Sequence, residues 1–343
     1  MLEFIWIASL ALAAISLAIL AILILSRLYS SIRSKRRERD RKAAIAFLLG
    51  YDEVTPQDRD RFPAGVLIIA SIELIQMVRG VERARYVSKA RSLGVDERLR
   101  ARLQSGNARA RIAAAAALAA FEDPETTATL QAALHDPEPD VRLNAALALA
   151  GSDRAPDAAT LVQRLRVGSE EDSLLIVSLF RSLAQDQPEQ IRALIRDPAV
   201  EPAVKAAAVE AMAGSGDYSL VPIIADLAIA SGSDDPALPR YLRALSKFAH
   251  PAAEPAVLDG LSRANPYVLI AAAKAAGAIH LTSSIARLEE LLSEEDWWLR
   301  FRAAEALMRL GGQGRDVLVR QSTEGDALAR EAALTILAEK GPQ

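Results

Sequence analysis

The chain has 343 residues, half of them apolar and few of them aromatic, and it contains no cysteine. The absence of cysteine excludes a disulfide framework and a thiolate metal site. The formal net charge of −3 hides an asymmetry, because residues 27–111 carry 20 Lys/Arg and 10 Asp/Glu, whereas residues 112–343 carry 21 and 33. A basic start and an acidic remainder call for a spatial explanation.

A charge-free stretch opens the chain. Residues 4–25 contain no charged side chain, and as a helix they would be about 33 Å long, enough to cross a hydrocarbon core of roughly 30 Å. Residues 1–26 contain no Lys or Arg, which argues against a cleaved signal peptide, because such a peptide needs a positive n-region. We therefore predict a transmembrane anchor over residues 1–28.

A basic juxtamembrane segment follows at residues 29–42. By the positive-inside rule this flank stays in the cytoplasm, which predicts a single-pass bacterial inner-membrane protein with its N-terminus outside and the rest of the chain in the cytoplasm. Basic residues near the cytoplasmic leaflet attract anionic lipids, so we expect an anionic lipid surface as one partner. The residues predicted to face that surface are Arg33, Lys35, Arg36, Arg37, Arg83, Arg85, Lys89 and Arg91.

Residues 43–94 are predicted to form an N-terminal helical cap, with helices at 43–49, 65–78 and 81–93. The middle helix could be mistaken for a second span, but it is short and contains Glu73. These features favour a buried helix that closes the end of a helical stack.

A helix-forming pattern recurs from residue 95 to the end of the chain. Its clearest copy is DPEPDVRLNAALALAG, residues 136–151. Asp and Pro open a turn, Asp140 is placed to cap a helix, and Gly151 can end it. The frame fits eight times at offsets of 29 to 34 residues, aligned on the pairs Ala114/Ala115, Ala145/Ala146, Leu179/Phe180, Ala208/Val209, Tyr241/Leu242, Ala272/Ala273, Ala303/Ala304 and Ala332/Ala333.

A period in this range is typical of a solenoid. We predict an all-α fold in which an α-solenoid of about eight helix pairs covers residues 95–343. No segment alternates with a period of two over a useful length, so no β-sheet is expected.

This repeat resembles the HEAT repeat, in particular the bacterial form also seen in phycobilisome lyase subunits. There the pattern Asp-Pro-x-x-x-Val-Arg-x-x-Ala-Ala-x-Ala-Leu-Gly marks the second helix of each pair. The resemblance implies a structural role for Arg142 and Arg300, since the family's repeat arginine usually bonds carboxylates or carbonyls of the adjacent repeat. It indicates the fold and says little about function, because the motif residues are those that build the stack.

The sequence offers little catalytic chemistry. The three histidines, His135, His250 and His280, do not stand at metal-ligand spacing, and no HExxH motif is present. The glycine-rich stretches follow helices rather than strands, so helix termination explains them better than phosphate binding. We therefore predict no catalytic residues, no cofactor, no metal and no small-molecule substrate.

Two tryptophans are the best candidates for binding a partner. Trp297 and Trp298 stand at the start of a second helix rather than at a core position, and exposed tryptophans are typical of interaction hot spots. The alternative is that one of them folds back over the preceding helix.

We thus predict a non-catalytic protein-protein interaction scaffold, an accessory subunit of a membrane-associated assembly such as one for envelope polysaccharide synthesis or secretion. Two alternatives stay open. The first is a lyase- or chaperone-like enzyme that acts on a bound protein, as in the phycobilisome relatives. The second is nucleic-acid binding through the basic residues 79–111, which the acidic later repeats disfavour because they would repel a phosphate backbone.

Overall fold

The computed structural model describes residues 38–50, 58, 61–77, 80–152, 154–167 and 174–340. Within these ranges the chain forms α-helices joined by turns and short 3-10 segments, without a β-strand, so the predicted all-α class is confirmed. None of the helices described is long and apolar enough to cross a membrane. The predicted span at 4–25 lies outside the described residues.

The described residues fall into two compact units, which divide between Ala133 and Leu134. Unit 1 contains the three helices predicted for the N-terminal cap and the first residues of the repeat region. Its helices are α1 (38–49), α2 (Ala64–Met77), α3 (Val81–Ser92), α4 (Val95–Ser105), α5 (Ala108–Leu118) and α6 (Pro124–Ala133).

The core of unit 1 forms where α2 packs against α3, α4 and α5. Leu67, Leu74 and Leu99 are buried there, together with the paired alanines of α5. The Tyr86 hydroxyl donates to the Ser71 carbonyl oxygen at 3.1 Å, which satisfies a polar group inside this core.

Unit 2 is built from alternating first and second helices. Each second helix packs against the next second helix, from α7 through α19. The second helices are α7 (Pro139–Ala150), α9 (Leu174–Asp186), α11 (Pro202–Met212), α13 (Leu238–Phe248), α15 (Pro266–Ala278), α17 (Trp297–Arg309) and α19 (Ala327–Lys340). The first helices are α8 (Ala158–Leu165), α10 (Pro188–Arg196), α12 (Val221–Ala230), α14 (Glu254–Ser262), α16 (Ile285–Glu290) and α18 (Gly312–Glu324).

Small residues account for the close stacking. Both members of the pairs Ala145/Ala146 and Ala303/Ala304 are fully buried, and residues of this size let neighbouring helix backbones approach. Gly260 likewise allows α14 to pack closely against α15, since a Cβ atom at Gly260 would lie 3.0 Å from the Ala272 Cβ.

The repeat frame shifts by one residue in the last copy. The guanidinium of Arg330 donates to the carbonyl oxygen of Gly325, five residues earlier, as Arg300 does to that of Glu295. By this hydrogen bond Arg330 corresponds to Arg300, which aligns Ala303 with Ala333. The predicted pair Ala332/Ala333 is nonetheless the buried one, since Leu334 is 51% exposed. The run of small residues in the sequence allows either alignment.

Candidate partner-binding surface

An exposed aromatic cluster opens helix α17. Trp297 and Trp298 are 46% and 56% exposed, so neither is hidden by folding back over the preceding helix. Trp297 stacks on Phe301, with ring centroids 5.2 Å apart and planes inclined by 15°. Trp298 meets Trp297 edge-on at 4.7 Å. Each ring in the cluster thus packs against another ring, while a large part of both indole surfaces is exposed to solvent.

The turn before α17 holds the cluster in place. The Asp296 carboxylate accepts the Leu299 N–H at 3.1 Å and caps the helix. From inside the helix, the Arg300 guanidinium donates to the carbonyl oxygens of Glu294 and Glu295 at 2.8 and 2.9 Å. These two carbonyl oxygens lie before the helix and have no partner within it, so the guanidinium satisfies them. The residues on either side of the two tryptophans, Asp296 and Arg300, are therefore both held by hydrogen bonds.

The repeat arginines bond their own turn. Arg142 donates to the carbonyl oxygens of Asp136 and Pro137 at 3.1 and 3.2 Å, which matches the bonding of Arg300. Arg300 also lies 3.8 Å from the carboxylate of Glu331 in α19, which agrees with the expected contact to the adjacent repeat. Both arginines in addition bond carbonyl oxygens of their own turn. The reason is geometric, because side chains on a helix point towards its N-terminus, where the turn carbonyls lie.

A second exposed aromatic occupies the equivalent place in the preceding repeat. Tyr267 is the second residue of α15, as Trp298 is of α17, and it is 75% exposed. Asn265 caps α15 by accepting the Tyr267 N–H at 3.0 Å, and its amide donates to the Ser233 carbonyl oxygen at 3.1 Å. Because α15 and α17 pack side by side, Tyr267 and Trp298 lie at the same end of neighbouring helices.

In the middle repeats of unit 2, from α12 to α16, the acidic residues lie on the first helices and the second helices carry only basic charges. The second helices α13 and α15 contain no Asp or Glu, whereas the first helices α12, α14 and α16 contain five and a single basic residue, Arg287. The acidic balance of the later repeats is therefore not spread evenly over the helices. The basic residues of α13 and α15 are Arg240, Arg243, Lys247 and Lys274.

These cations differ in their partners. Arg240 pairs with Glu210 of α11 at 3.0 Å, and Arg243 lies 3.7 Å from the same carboxylate. Lys247 is exposed and Lys274 is half-buried, and neither forms a salt bridge with any residue that the structure describes. Two lysines on adjacent second helices thus remain available to an anionic ligand.

The residues predicted to face a membrane surface differ in their environments. Arg33, Lys35, Arg36 and Arg37 lie outside the described residues. Arg83 and Arg91 are exposed on α3. Arg85 donates to Glu82 at 2.6 Å and to the Leu49 carbonyl oxygen at 3.3 Å.

Lys89 is a correction to that predicted set. It is buried, and its ammonium donates to the carbonyl oxygens of Phe47 and Gly50 at 2.7 and 3.0 Å. It also lies 4.5 Å from the centre of the Phe47 ring. Lys89 therefore bonds carbonyl oxygens at the end of α1 and is not a surface cation. The sequence does not indicate this role, because Lys89 stands at helical spacing from the exposed arginines of the same helix.

The histidines lie apart in the fold. His250 accepts the Ala252 N–H at 3.1 Å and begins a 3-10 turn. A ring nitrogen of His280 lies 2.9 Å from the Arg309 carbonyl oxygen. Among the residues described, no group of three His, Cys, Asp or Glu side chains is placed to hold a metal ion.

Two open clefts lie elsewhere in unit 2. One, of about 390 Å³, is lined by Arg181, Arg192 and Asp217 among others. Arg192 pairs there with Asp217 at 2.6 Å. The other, of about 420 Å³, is lined by aliphatic and polar residues of α8, α10 and α11 and of the turns that follow α8 and α10.

Sequence reasoning found the two tryptophans but missed Tyr267 and Phe301. The signal for Tyr267 was present, since it follows Asn265-Pro266 as Trp298 follows Asp296-Trp297. Phe301 stands one helical turn after Trp297, and that spacing predicts contact on a helix surface.

Comparison with known proteins supports the repeat assignment. The model of the HEAT-repeat family matches residues 97–183, 227–307 and 254–338. The fold is similar to that of the karyopherin Kap121p at 13% identity and a TM-score of 0.42, over 88% of this chain and 41% of that chain. It thus spans less than half the length of that protein.

Two further solved structures are similar over nearly their whole length. Human deoxyhypusine hydroxylase is 15% identical, with a TM-score of 0.31 over 90% of this chain and 98% of that chain. An engineered protein is 17% identical, with a TM-score of 0.41 over 87% of this chain and 98% of that chain. No curated protein sequence matches significantly. Because the family model covers more than half of its residues, this chain belongs to the HEAT-repeat family.

Proposed function

We propose that this protein is a membrane-anchored scaffold that binds protein partners through the aromatic cluster at the start of α17. The observation that carries the proposal is the stacking of Trp297, Trp298 and Phe301 with both indoles exposed. Large aromatic side chains held rigidly at a surface are typical hot-spot residues, because they bury much area at little cost in conformational entropy.

The repeat architecture supports this role. In a stack where each repeat contacts its neighbours, the second helices present side chains at regular intervals, and such extended surfaces suit protein recognition. Trp298 and Tyr267 occupy equivalent positions in consecutive repeats, so a partner that crosses both helices meets an aromatic ring on each. The scaffold is in this view a non-catalytic accessory subunit.

The membrane anchor is the second part of the proposal. The charge-free residues 4–25 and the basic residues that follow them support a single span with the repeats in the cytoplasm. A scaffold placed at the inner membrane of a bacterium would serve a membrane-associated assembly, such as one for envelope polysaccharide synthesis or secretion.

Cross-linking in cells tests the binding role. The tagged full chain is expressed, cross-linked, and purified in mild detergent, and the attached proteins are identified by mass spectrometry. The double variant Trp297→Ala/Trp298→Ala should lose specific proteins that the unchanged chain retains. Tyr218→Ala is the matched control, because it removes another exposed ring, which packs against Phe248 and His250.

Recovery of the same proteins with all three chains would contradict the assignment to the α17 cluster. Recovery of no specific protein with any chain would contradict the scaffold function itself. Thermal unfolding of each variant shows whether the fold is kept.

A further inference from the structure

The exposed side of α13, α15 and α17 combines aromatic and cationic side chains. We call it the second-helix face and define it by residues that share exposure or partial exposure to solvent: Arg243, Lys247, Tyr267, Lys274, Trp298 and Phe301. All belong to unit 2 and to helices that pack side by side.

The aromatic and cationic residues form two rows. Tyr267 and Trp298 stand in the first turns of α15 and α17. Lys274 follows Tyr267 by seven residues on the same helix, which places it two turns further on the same side, a rise of about 10 Å. Lys247 lies near the C-terminal end of α13. Lys247 and Lys274 thus form the cationic row, away from the helix starts that carry the aromatic row.

The charge of this face has the opposite sign to that of the unit. Residues 134–343 carry 21 Lys/Arg and 30 Asp/Glu, yet α13 and α15 carry four basic residues and no acidic one. On α17 the single acidic residue, Glu305, is occupied by Arg302 at 2.6 Å and Arg309 at 3.0 Å. An anionic ligand is therefore attracted to this face in preference to the acidic first helices.

Carboxylates close to the aromatic row disfavour some anionic ligands more than others. Glu294, Glu295 and Asp296 form the turn before α17, and Asp235 caps Ala237 before α13 with an N–H···O distance of 2.8 Å. A nucleic acid carries a phosphate at every step and would be repelled there. A polypeptide can place an uncharged apolar residue at this end and its carboxylates at the other.

We propose that the second-helix face binds an acidic segment of a partner protein that also carries an apolar or aromatic residue. The apolar residue packs on Tyr267, Trp298 and Phe301. The acidic residues pair with Lys247 and Lys274, with Arg243 beside them. This inference rests on the proposed scaffold function and specifies the chemistry of its partner.

The spacing of the rows sets the spacing in the segment. An extended chain advances roughly 3.3 Å per residue, so a distance of about 10 Å between rows corresponds to roughly three residues. A segment that crosses from one helix to the next also needs roughly three residues, because neighbouring helices lie about 8–10 Å apart. An apolar anchor with a carboxylate roughly three residues away is therefore the expected pattern.

A displayed library of random short peptides tests the proposal. It is panned against the full chain in mild detergent, and enriched peptides are resynthesised with a fluorescent label for anisotropy titrations. We expect enrichment of Asp and Glu together with aromatic or large aliphatic residues. Affinity should fall as salt is raised, because exposed charge pairs are screened.

Variants connect the binding to this face. Lys247→Glu and Lys274→Glu should each weaken binding about five- to tenfold, since each replaces an attraction by a repulsion. Trp298→Ala should weaken it by roughly thirtyfold or more, as expected for a hot-spot aromatic. Arg315→Glu is the matched control, because Arg315 is an exposed cation on the first helix α18, and its reversal should leave the affinity unchanged.

Several outcomes would overturn the proposal. Enrichment of Lys- and Arg-rich peptides, or equal binding to Lys274→Glu and the unchanged chain, would show that the cationic row does not select the ligand. Tighter binding of labelled single-stranded DNA than of any acidic peptide would favour a nucleic acid. If the proteins cross-linked in cells are lost with the tryptophan variant but kept with Lys247→Glu/Lys274→Glu, the scaffold function stands and the acidic partner does not.

Discussion

Gly277 of α15 lies directly against Ala306 of α17, so that a Cβ atom added to Gly277 would stand 2.9 Å from the Ala306 Cα. The contact joins two backbones, which cannot give way as the end of a flexible side chain can. It fixes the separation of the two helices whose first turns carry Tyr267 and Trp298. The spacing of the candidate aromatic surface thus depends on a glycine about ten residues further along α15.

Gly277→Leu tests this contact. Glycine is an unfavourable helix residue, so a substitution in open space would stabilise the helix by up to about 1 kcal/mol. Here the added side chain has no room, and we expect a net loss of about 1–3 kcal/mol from overpacking. Gly312→Leu is the control, since no atom lies within 4 Å of a Cβ at Gly312 in α18. Thermal unfolding should show a lower Tm for the first variant only; equal Tm values would mean that the helices are not held this closely.

Arg300→Met tests the anchoring of the tryptophans. Arg300 is 6% exposed and bonds the carbonyl oxygens of Glu294 and Glu295. Methionine keeps much of the apolar stem but leaves both oxygens without this donor, and we expect a loss of about 1–3 kcal/mol. Arg315→Met, at an exposed position of α18, should be neutral. Tryptophan fluorescence should also shift for Arg300→Met if the turn loosens, and an unchanged spectrum and Tm would contradict the anchoring role.

Local signals predicted the helices well. Helix α10 begins at Pro188 and ends at Arg196, and the first turn of a helix is where a proline is tolerated best. The segment 285–293 is less regular, since the structure divides it into α16 and a 3-10 turn at Leu291–Ser293. In so short a segment, the apolar spacing does not distinguish a helix with i,i+4 bonds from a tighter one.

Contacts between distant residues could not be predicted in this way. Lys89 bonds carbonyls about forty residues earlier in the chain, and nothing in its own helix marks it as buried. The charge of the second-helix face was hidden for a related reason. A balance of 21 basic to 33 acidic residues over 112–343 suggests a uniformly acidic surface, but which helix carries each charge decides what a partner meets.

Lys89→Met tests whether this lysine has a structural role in unit 1. Its ammonium is the donor to two carbonyls near the end of α1, and removing it from a buried site should cost about 1–3 kcal/mol. Arg83→Met changes an exposed residue of the same helix and should leave the stability within about 0.5 kcal/mol. Chemical denaturation measures both. If Lys89→Met is as stable as Arg83→Met, Lys89 is free to act at the surface.

The Asp217 carboxylate should make unit 2 sensitive to acid. A hydrogen bond from the Ser219 hydroxyl and, against the opposing effect of burial, the Arg192 guanidinium hold the pKa of Asp217 below its ordinary value of 3.8. The unfolded carboxyl has the higher pKa, so its contribution to stability is present above about pH 4 and is lost as the pH falls through the folded pKa. Asp217→Asn should therefore be less stable than the unchanged chain at neutral pH, and the difference should shrink below about pH 4.

Denaturation curves at a series of pH values measure this difference. Asp226→Asn is the matched control, because it removes an exposed carboxylate from α12. A difference between Asp217→Asn and the unchanged chain that stays constant down to the acid limit would contradict the linkage.

The topology of the chain is the last prediction. Eight Lys/Arg residues lie within 27–42, directly after the charge-free stretch 4–25, whereas residues 1–26 contain none. The asymmetry should retain this flank in the cytoplasm. A reporter fused after Gln343 should therefore be active as a cytoplasmic fusion and inactive as a periplasmic one. Replacing Arg33, Lys35, Arg36 and Arg37 by neutral residues should reduce this bias, because fewer positive charges then oppose translocation. Periplasmic activity of the unchanged chain would overturn the proposed location, and with it any encounter between the repeats and a cytoplasmic partner.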